Sequence, residues 1–205
     1  MCYSSSIIAS YLINRSNRVG SPLSVIQLIK LVYIAHGWNL ALRGEPLVSD
    51  DIEAWKYGPV MPELFSLLKI QIEKRGIPAG ESINDAAVYS SDMPLSITDR
   101  EINPSIQILL NKVYVRFRDL TGQELSALTH ETDTPWYRIW DNGEGRDRKI
   151  EDADTKAYYE KKINREQFDS YSQFASISSK EEARELLTAA GILDQDGQLS
   201  PFYKQ

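Results

Sequence analysis

The sequence predicts a mainly α (α+β) protein: a compact helical domain around a buried central helix, with a small β-element and a C-terminal helical appendage. Three observations carry this expectation. Residues 25–42 place apolar side chains on nearly every side of a helix. Residues 52–57 alternate with a period of two and run into Gly58-Pro59. A capping residue followed by proline recurs at Ser21-Pro22, Asn103-Pro104 and Thr134-Pro135, and that pairing marks helix starts, where the missing N–H of proline is harmless.

Along the chain, the apolar run 7–13 predicts a short helix and the polar stretch 14–20 a turn. Ser21-Pro22 then opens the central helix, which is expected to reach Leu42. Leu28, Leu31, Val32, Ala35, Trp38 and Leu42 follow one helical stripe, while Val25, Ile29, Tyr33 and Leu40 cover much of the rest, the pattern of a helix buried all round. Gly44 stands where a left-handed residue commonly ends a helix.

Residues 52–57 read as a strand that Gly58-Pro59 stops, and Pro62 begins an amphipathic helix through Leu64, Phe65, Leu68 and Ile72 to a cap at Gly76. Residues 77–98 read as a loop in which 86–89 can pair with 52–57. Asn103-Pro104 opens a helix with Ile106, Leu109, Leu110, Val113 and Phe117 inward. Thr121-Gly122-Gln123-Glu124 is a capping-box pattern before a short helix ending near His130. Thr134-Pro135 launches Trp136, Ile139 and Trp140, and a further helix spans about 153–164 with Ala157, Tyr158 and Ile163. The domain boundary falls there, with residues 1–164 as the helical domain and 165–205 as an appendage. The appendage comprises a Ser- and Gln-containing linker, a capping box at Ser178-Ser179-Lys180-Glu181, a helix to Gly191, and a turn at Asp196-Gly197.

With 205 residues, 42% hydrophobic and 25% charged, the chain is long enough for a sizeable core and ordinary in composition. It has neither an uninterrupted run of about 18 apolar residues nor the basic, then apolar, start of a secretory signal, so a cytoplasmic protein is expected. The single cysteine, Cys2, has no companion for a disulfide or a thiolate metal site. A net charge of -6 disfavours non-specific binding to phosphate backbones, although Lys112, Arg116 and Arg118 fall together on a predicted helix.

No nucleophile elbow, phosphate loop, dinucleotide fingerprint or zinc-protease motif occurs. No cofactor is therefore expected, and no catalytic or metal-ligating residue is assigned. His36 lies within an apolar helix, as a hydrogen-bonded core or edge residue. His130 sits at a helix end, where a cationic ring suits the helix dipole. Glu53 and Lys56 point to opposite faces of the predicted strand, so Glu53 is expected in a buried ion pair with Lys30 and Lys56 in solvent. Trp38 and Trp136 read as core, whereas Trp55 and Tyr57, on one strand face, either cap the core or form an exposed aromatic anchor.

Three blocks taken together resemble the Panacea antitoxin domain family, which includes the phage-associated GepA-like and SocA-like proteins. The first contains Lys30, Tyr33 and Trp38; the second is Glu53, Ala54, Trp55, Lys56, Tyr57, Gly58 and Pro59. The third runs from Leu125, Leu128 and His130 to Pro135 and Trp136. The likeness covers about residues 23–160 and departs from the family pattern at Ile29, Ile34 and Gly37. It implies a non-enzymatic protein that neutralises a cognate toxin, encoded by a neighbouring gene, through direct binding. Glu53, Trp55, Lys56 and Tyr57 would then contact the partner, aided by the tail. Lys30, Tyr33, Trp38, Gly58, Pro59, His130 and Trp136 would be the structural part of the motif. Two other roles are compatible with the residues: a DNA-binding regulator of a mobile element, which would bind operator DNA through Lys112, Arg116 and Arg118, and a proteolysis adaptor. A hydrolytic site around Glu53, His36 and His130 is the remaining enzymatic alternative.

Overall fold

The computed structural model describes residues 2–77, 82–93, 102–163 and Gln198. The described residues form seven α-helices and a two-stranded antiparallel sheet, in the order α1 (Ser5–Arg18), α2 (Val25–Arg43), β1 (Glu53–Trp55), β2 (Gly58–Val60), α3 (Pro62–Arg75), α4 (Pro104–Phe117), α5 (Gly122–Thr129), α6 (Pro135–Trp140) and α7 (Asp152–Ile163). The expected mainly α architecture is what is found. The appendage expected at 165–205, Gln198 apart, lies outside the described residues.

The central helix is α2, which packs against α1, α3, α4, α5, α7 and β2. Leu28, Leu31, Val32, Ala35, Trp38 and the opposing Val25, Ile29, Tyr33 and Leu40 are all buried, as an all-round apolar pattern requires. By length and composition alone α2 would also suffice to cross a membrane. Its most apolar window is 78% buried inside the protein, as befits a core helix.

The helix starts later than Ser21-Pro22 suggests. Ser24 is the N-cap, and a reciprocal capping box joins it to Gln27, with Gln27 N–H donating to Ser24 Oγ at 3.3 Å and Ser24 N–H to Gln27 Oε1 at 2.8 Å. A segment some sixty residues further along the chain explains the delay. Val25 N–H and Ile26 N–H donate to the carbonyls of Ala86 and Asn84, and Val88 N–H donates to Leu23 O at 2.8 Å. The stretch 84–88 thus satisfies amides that a helix start leaves unpaired. It consequently bridges Ser24 through Ala87 and does not pair with residues 52–57; Lys149 takes that place beside Glu53.

The first helix is likewise longer than 7–13. Residues 14–18 continue it because their polar side chains find partners: Arg15 Nε donates to Asn111 Oδ1 at 3.1 Å and Ser16 Oγ to Ile13 O at 2.9 Å. Local cap signals elsewhere among the described residues hold. Asn103 and Thr134 cap α4 and α6, Thr121 and Glu124 form a capping box on α5, Pro62 opens α3, and Gly44 ends α2 with φ 72°. The last described helix, α7, buries Thr155 and Tyr159 against the domain, while Ala157 is exposed. The Tyr159 ring meets Trp38 edge-on with centroids 5.0 Å apart, over Gly37 of α2.

Candidate functional site: the β1–β2 hairpin

Strand β1 turns back through Lys56-Tyr57 into β2, with Glu53 opposite Val60, Ala54 opposite Pro59 and Trp55 opposite Gly58. Gly58-Pro59 therefore continues the ladder as its return strand, contrary to the expected stop. A proline is tolerated there because Ala54, its cross-strand neighbour, bonds in the other direction: Ala54 N–H donates to Arg148 O and Ala54 O accepts from Asp147 N–H, each at 2.9 Å. Gly58 has φ 101°, a conformation that suits glycine.

Three side chains from three helices hold three carbonyls of this short hairpin. Trp136 on α6 donates its indole N–H to Trp55 O at 2.8 Å. Ser126 on α5 donates to Tyr57 O at 3.0 Å. Lys30 on α2 donates to Pro59 O at 2.9 Å. The hairpin is thereby fixed from below while its turn stays outside, with Lys56 exposed and Tyr57 52% exposed. Lys56 Nζ lies 5.4 Å from the centre of the Tyr57 ring.

Lys30 is 1% exposed. A Cβ at position 58 would lie 2.7 Å from its Nζ and 2.5 Å from Thr129 Oγ1, so the bare glycine makes room for the ammonium. Burial lowers the Lys30 pKa to about 7, because the interior penalises the charged form. The expected Lys30–Glu53 ion pair does not form. Lys30 reaches the β2 backbone, while Glu53 Oε2 accepts the indole N–H of Trp55, its same-face neighbour on β1, at 2.9 Å. Trp55 is half-buried, edge-on to Phe65 with centroids 5.3 Å apart, and Tyr57 belongs to the turn, so the two aromatics do not form one strand face.

Below the hairpin, Trp136 stacks between His130, at 3.7 Å, and Trp140, at 5.3 Å. His130 caps the end of α5, but burial, and secondly the charge of Lys30, lower its pKa below the ordinary histidine value. The neutral ring is favoured, which corrects the cationic expectation. His36 is committed elsewhere: Val48 N–H donates to its Nδ1 at 3.3 Å, leaving Nε2 to donate to Asp152 Oδ1 at 3.1 Å. That bond holds the Asp152 carboxyl below the usual range and ties α2 to the start of α7. His36, His130 and Glu53 thus serve three separate sets of contacts. Lys112 and Arg116 lie on α4 with Arg118 just beyond it, and burial lowers the Lys112 pKa to about 8. Arg118 lies 3.6 Å from Asp119.

Sequence reasoning did not single out Ser126 or Thr129. The only available signal was their place inside the short segment between the Thr121 cap and His130. A cavity of about 410 Å³ adjoins the hairpin, with Lys30, Trp55, Lys56, Tyr57, Phe65 and Arg146 among its lining residues. A second cavity, of about 260 Å³, lies between α2, α4 and α7, lined by Tyr33, Trp38, Arg116, Tyr159 and Lys162 among others.

Among curated proteins, the chain is similar to the antitoxin SocA of Caulobacter vibrioides (strain NA1000 / CB15N), 30% identical over 130 residues. That alignment covers 63% of this chain and 66% of the relative's length. No solved structure matches. The family model described as "Antitoxin SocA-like, Panacea domain" matches residues 28–137, a span that holds Lys30, the whole hairpin, Ser126, His130 and Trp136. With more than half of its length matched, the chain belongs to the SocA-like antitoxin family of Panacea domains.

Proposed function

We propose that this protein is an antitoxin that neutralises a cognate toxin protein by binding it directly, with the β1–β2 hairpin as the contact surface. The observation that carries the reading is the anchoring of the carbonyls of Trp55, Tyr57 and Pro59 beneath an exposed Lys56-Tyr57 turn. An aromatic side chain on a backbone that is already fixed loses little entropy on binding, and such residues are frequent interface anchors. Glu53 and Trp55 flank the turn, one carboxylate and one half-buried indole, and their mutual hydrogen bond orients both. Inhibition needs no chemistry from this chain, only a stable interface burying on the order of 1,200 Å² or more.

The test is co-expression with the product of the neighbouring gene, scored first by rescue of growth and then by co-purification. Rescue with a stable complex is expected. Tyr57→Ala should then weaken the complex at least about tenfold while leaving the thermal midpoint of the free protein unchanged. Full affinity retained in both Tyr57→Ala and Lys56→Ala would move the interface away from the hairpin. A non-toxic neighbour, with salt-sensitive binding to promoter DNA that depends on Lys112 and Arg116, would replace the antitoxin reading with a regulatory one.

A further inference from the structure

We infer that the cavity beside the hairpin is a carboxylate pocket, which receives an acidic side chain that the bound protein partner carries next to an apolar one. The inference rests on the interaction reading above and names the chemistry of the partner at that site. Lys30 lines the cavity and is buried, yet among the described residues its one hydrogen bond is to Pro59 O and no carboxylate pairs with it. A lysine ammonium has three N–H donors, and a buried charge without a counter-ion is costly. An arriving carboxylate would relieve that cost.

The remaining lining fits the same ligand. Ile26, Ile29, Trp55, Val60 and Phe65 supply apolar wall, suited to the carbon chain of the acid and its apolar neighbour. Lys56 and Arg146 add two further cations against the single anion, Asp147, and Asn84 adds an amide. A net positive wall is notable on a chain of net charge -6, and it complements an acidic segment. A phosphate group, with its several charged oxygens, calls for a cluster of donors at one point, whereas here a single ammonium is buried and the two other cations, Lys56 and Arg146, are exposed. The depressed Lys30 pKa gives the pocket a signature: the empty site is partly deprotonated near neutrality, so binding a carboxylate above pH 7 takes up protons.

The experiment titrates the full chain with two blocked dipeptides, N-acetyl-Leu-Glu-amide and N-acetyl-Leu-Gln-amide. Binding is followed by amide chemical shifts of residues 52–60, and by calorimetry at pH 8 in two buffers of different ionisation enthalpy. The Glu peptide is expected to bind at least about tenfold more tightly than its Gln counterpart, as a charge-assisted hydrogen bond would provide, with proton uptake. Lys30→Met should abolish both the preference and the uptake. If Lys30→Met does not fold, the exposed pair Lys56→Ala and Arg146→Ala carries the test and should reduce the preference severalfold. Equal binding of the two peptides, binding of neither, or a preference retained in these variants overturns the inference. A promoter duplex that shifts the 52–60 amides where neither peptide does so assigns the site to nucleic acid and overturns it too. Growth rescue separates this result from the broader reading: rescue with a flat peptide titration removes the carboxylate pocket alone, and absent rescue removes the antitoxin reading whatever the peptides do.

Discussion

Lys30 occupies a place where water barely reaches, and its pKa of about 7 makes that burial measurable as pH-dependent stability. An unfolded lysine titrates near its ordinary value of 10.5. Between the two values the unfolded chain holds more protons than the folded one, so stability rises with pH through this window, by up to about 1.4 kcal/mol per pH unit. His130, with its pKa also lowered, contributes the same sign at lower pH, as histidine charges below its usual range. The buried Tyr33 and Tyr159, whose pKa values burial raises, act oppositely once unfolded tyrosines begin to ionise near pH 10. Urea midpoints at pH 7 and pH 9 span this window, in which Lys112, its pKa lowered by burial to about 8, adds the same sign, so the comparison with Lys30→Met separates the two lysines. The wild-type chain should gain about 2 kcal/mol over that interval relative to Lys30→Met, and equal slopes would place the charge elsewhere. The sequence made Trp38 legible as core because its spacing places it on the apolar stripe of α2, and Trp136 because a large aromatic is usually buried. It did not make the partner of Lys30 legible, since that partner is a backbone carbonyl of Pro59 and no side chain announces it.

Among the elements, α2 and α7 make a contact sensitive to a single atom. Gly37 faces the Tyr159 ring so closely that a Cβ there would run into it. Gly37→Ala should destabilise the protein by about 1–3 kcal/mol, the usual cost of overpacking, despite the better helix propensity of alanine. A lowered denaturation midpoint with an unchanged m-value is the expected result; a stabilised variant would mean that α7 can shift at no cost. The same scale separates what local sequence reveals from what it does not. The Thr121–Glu124 box and the Asn103-Pro104 and Thr134-Pro135 starts were readable because cap and helix lie within four residues of each other. Ser21-Pro22 misled because the true start at Ser24 depends on carbonyls some sixty residues away, at Asn84 and Ala86. Gly58-Pro59 misled for a related reason: whether a proline ends a ladder depends on which way its neighbour Ala54 bonds, and that is settled by Asp147 and Arg148.

For the whole molecule, the family match at residues 28–137 marks the recognisable motif but leaves out parts of the folding unit. Ile150 N–H donates to Ile52 O at 2.7 Å, Lys149 bridges Glu53, and α7 covers α2. A chain ending after Lys149 would expose Trp38 and Tyr33, and it should lose its cooperative thermal transition. Tyr159→Ala in the full chain should reproduce much of that loss, at about 3–5 kcal/mol, which is comparable with the stability of an ordinary domain. A sharp transition at the full-chain temperature in both variants would show that α7 is dispensable.

The enclosure of α2 has a further consequence for how the protein reports on its surroundings. Backbone amides in the middle of a helix packed against five others and a strand are shielded from local fraying, so their hydrogen exchange is expected to proceed through global opening. A partner that binds only the folded hairpin slows that opening by mass action. The α2 amides that lie away from the contact surface would then slow together, and the common factor would read out the occupancy of the hairpin.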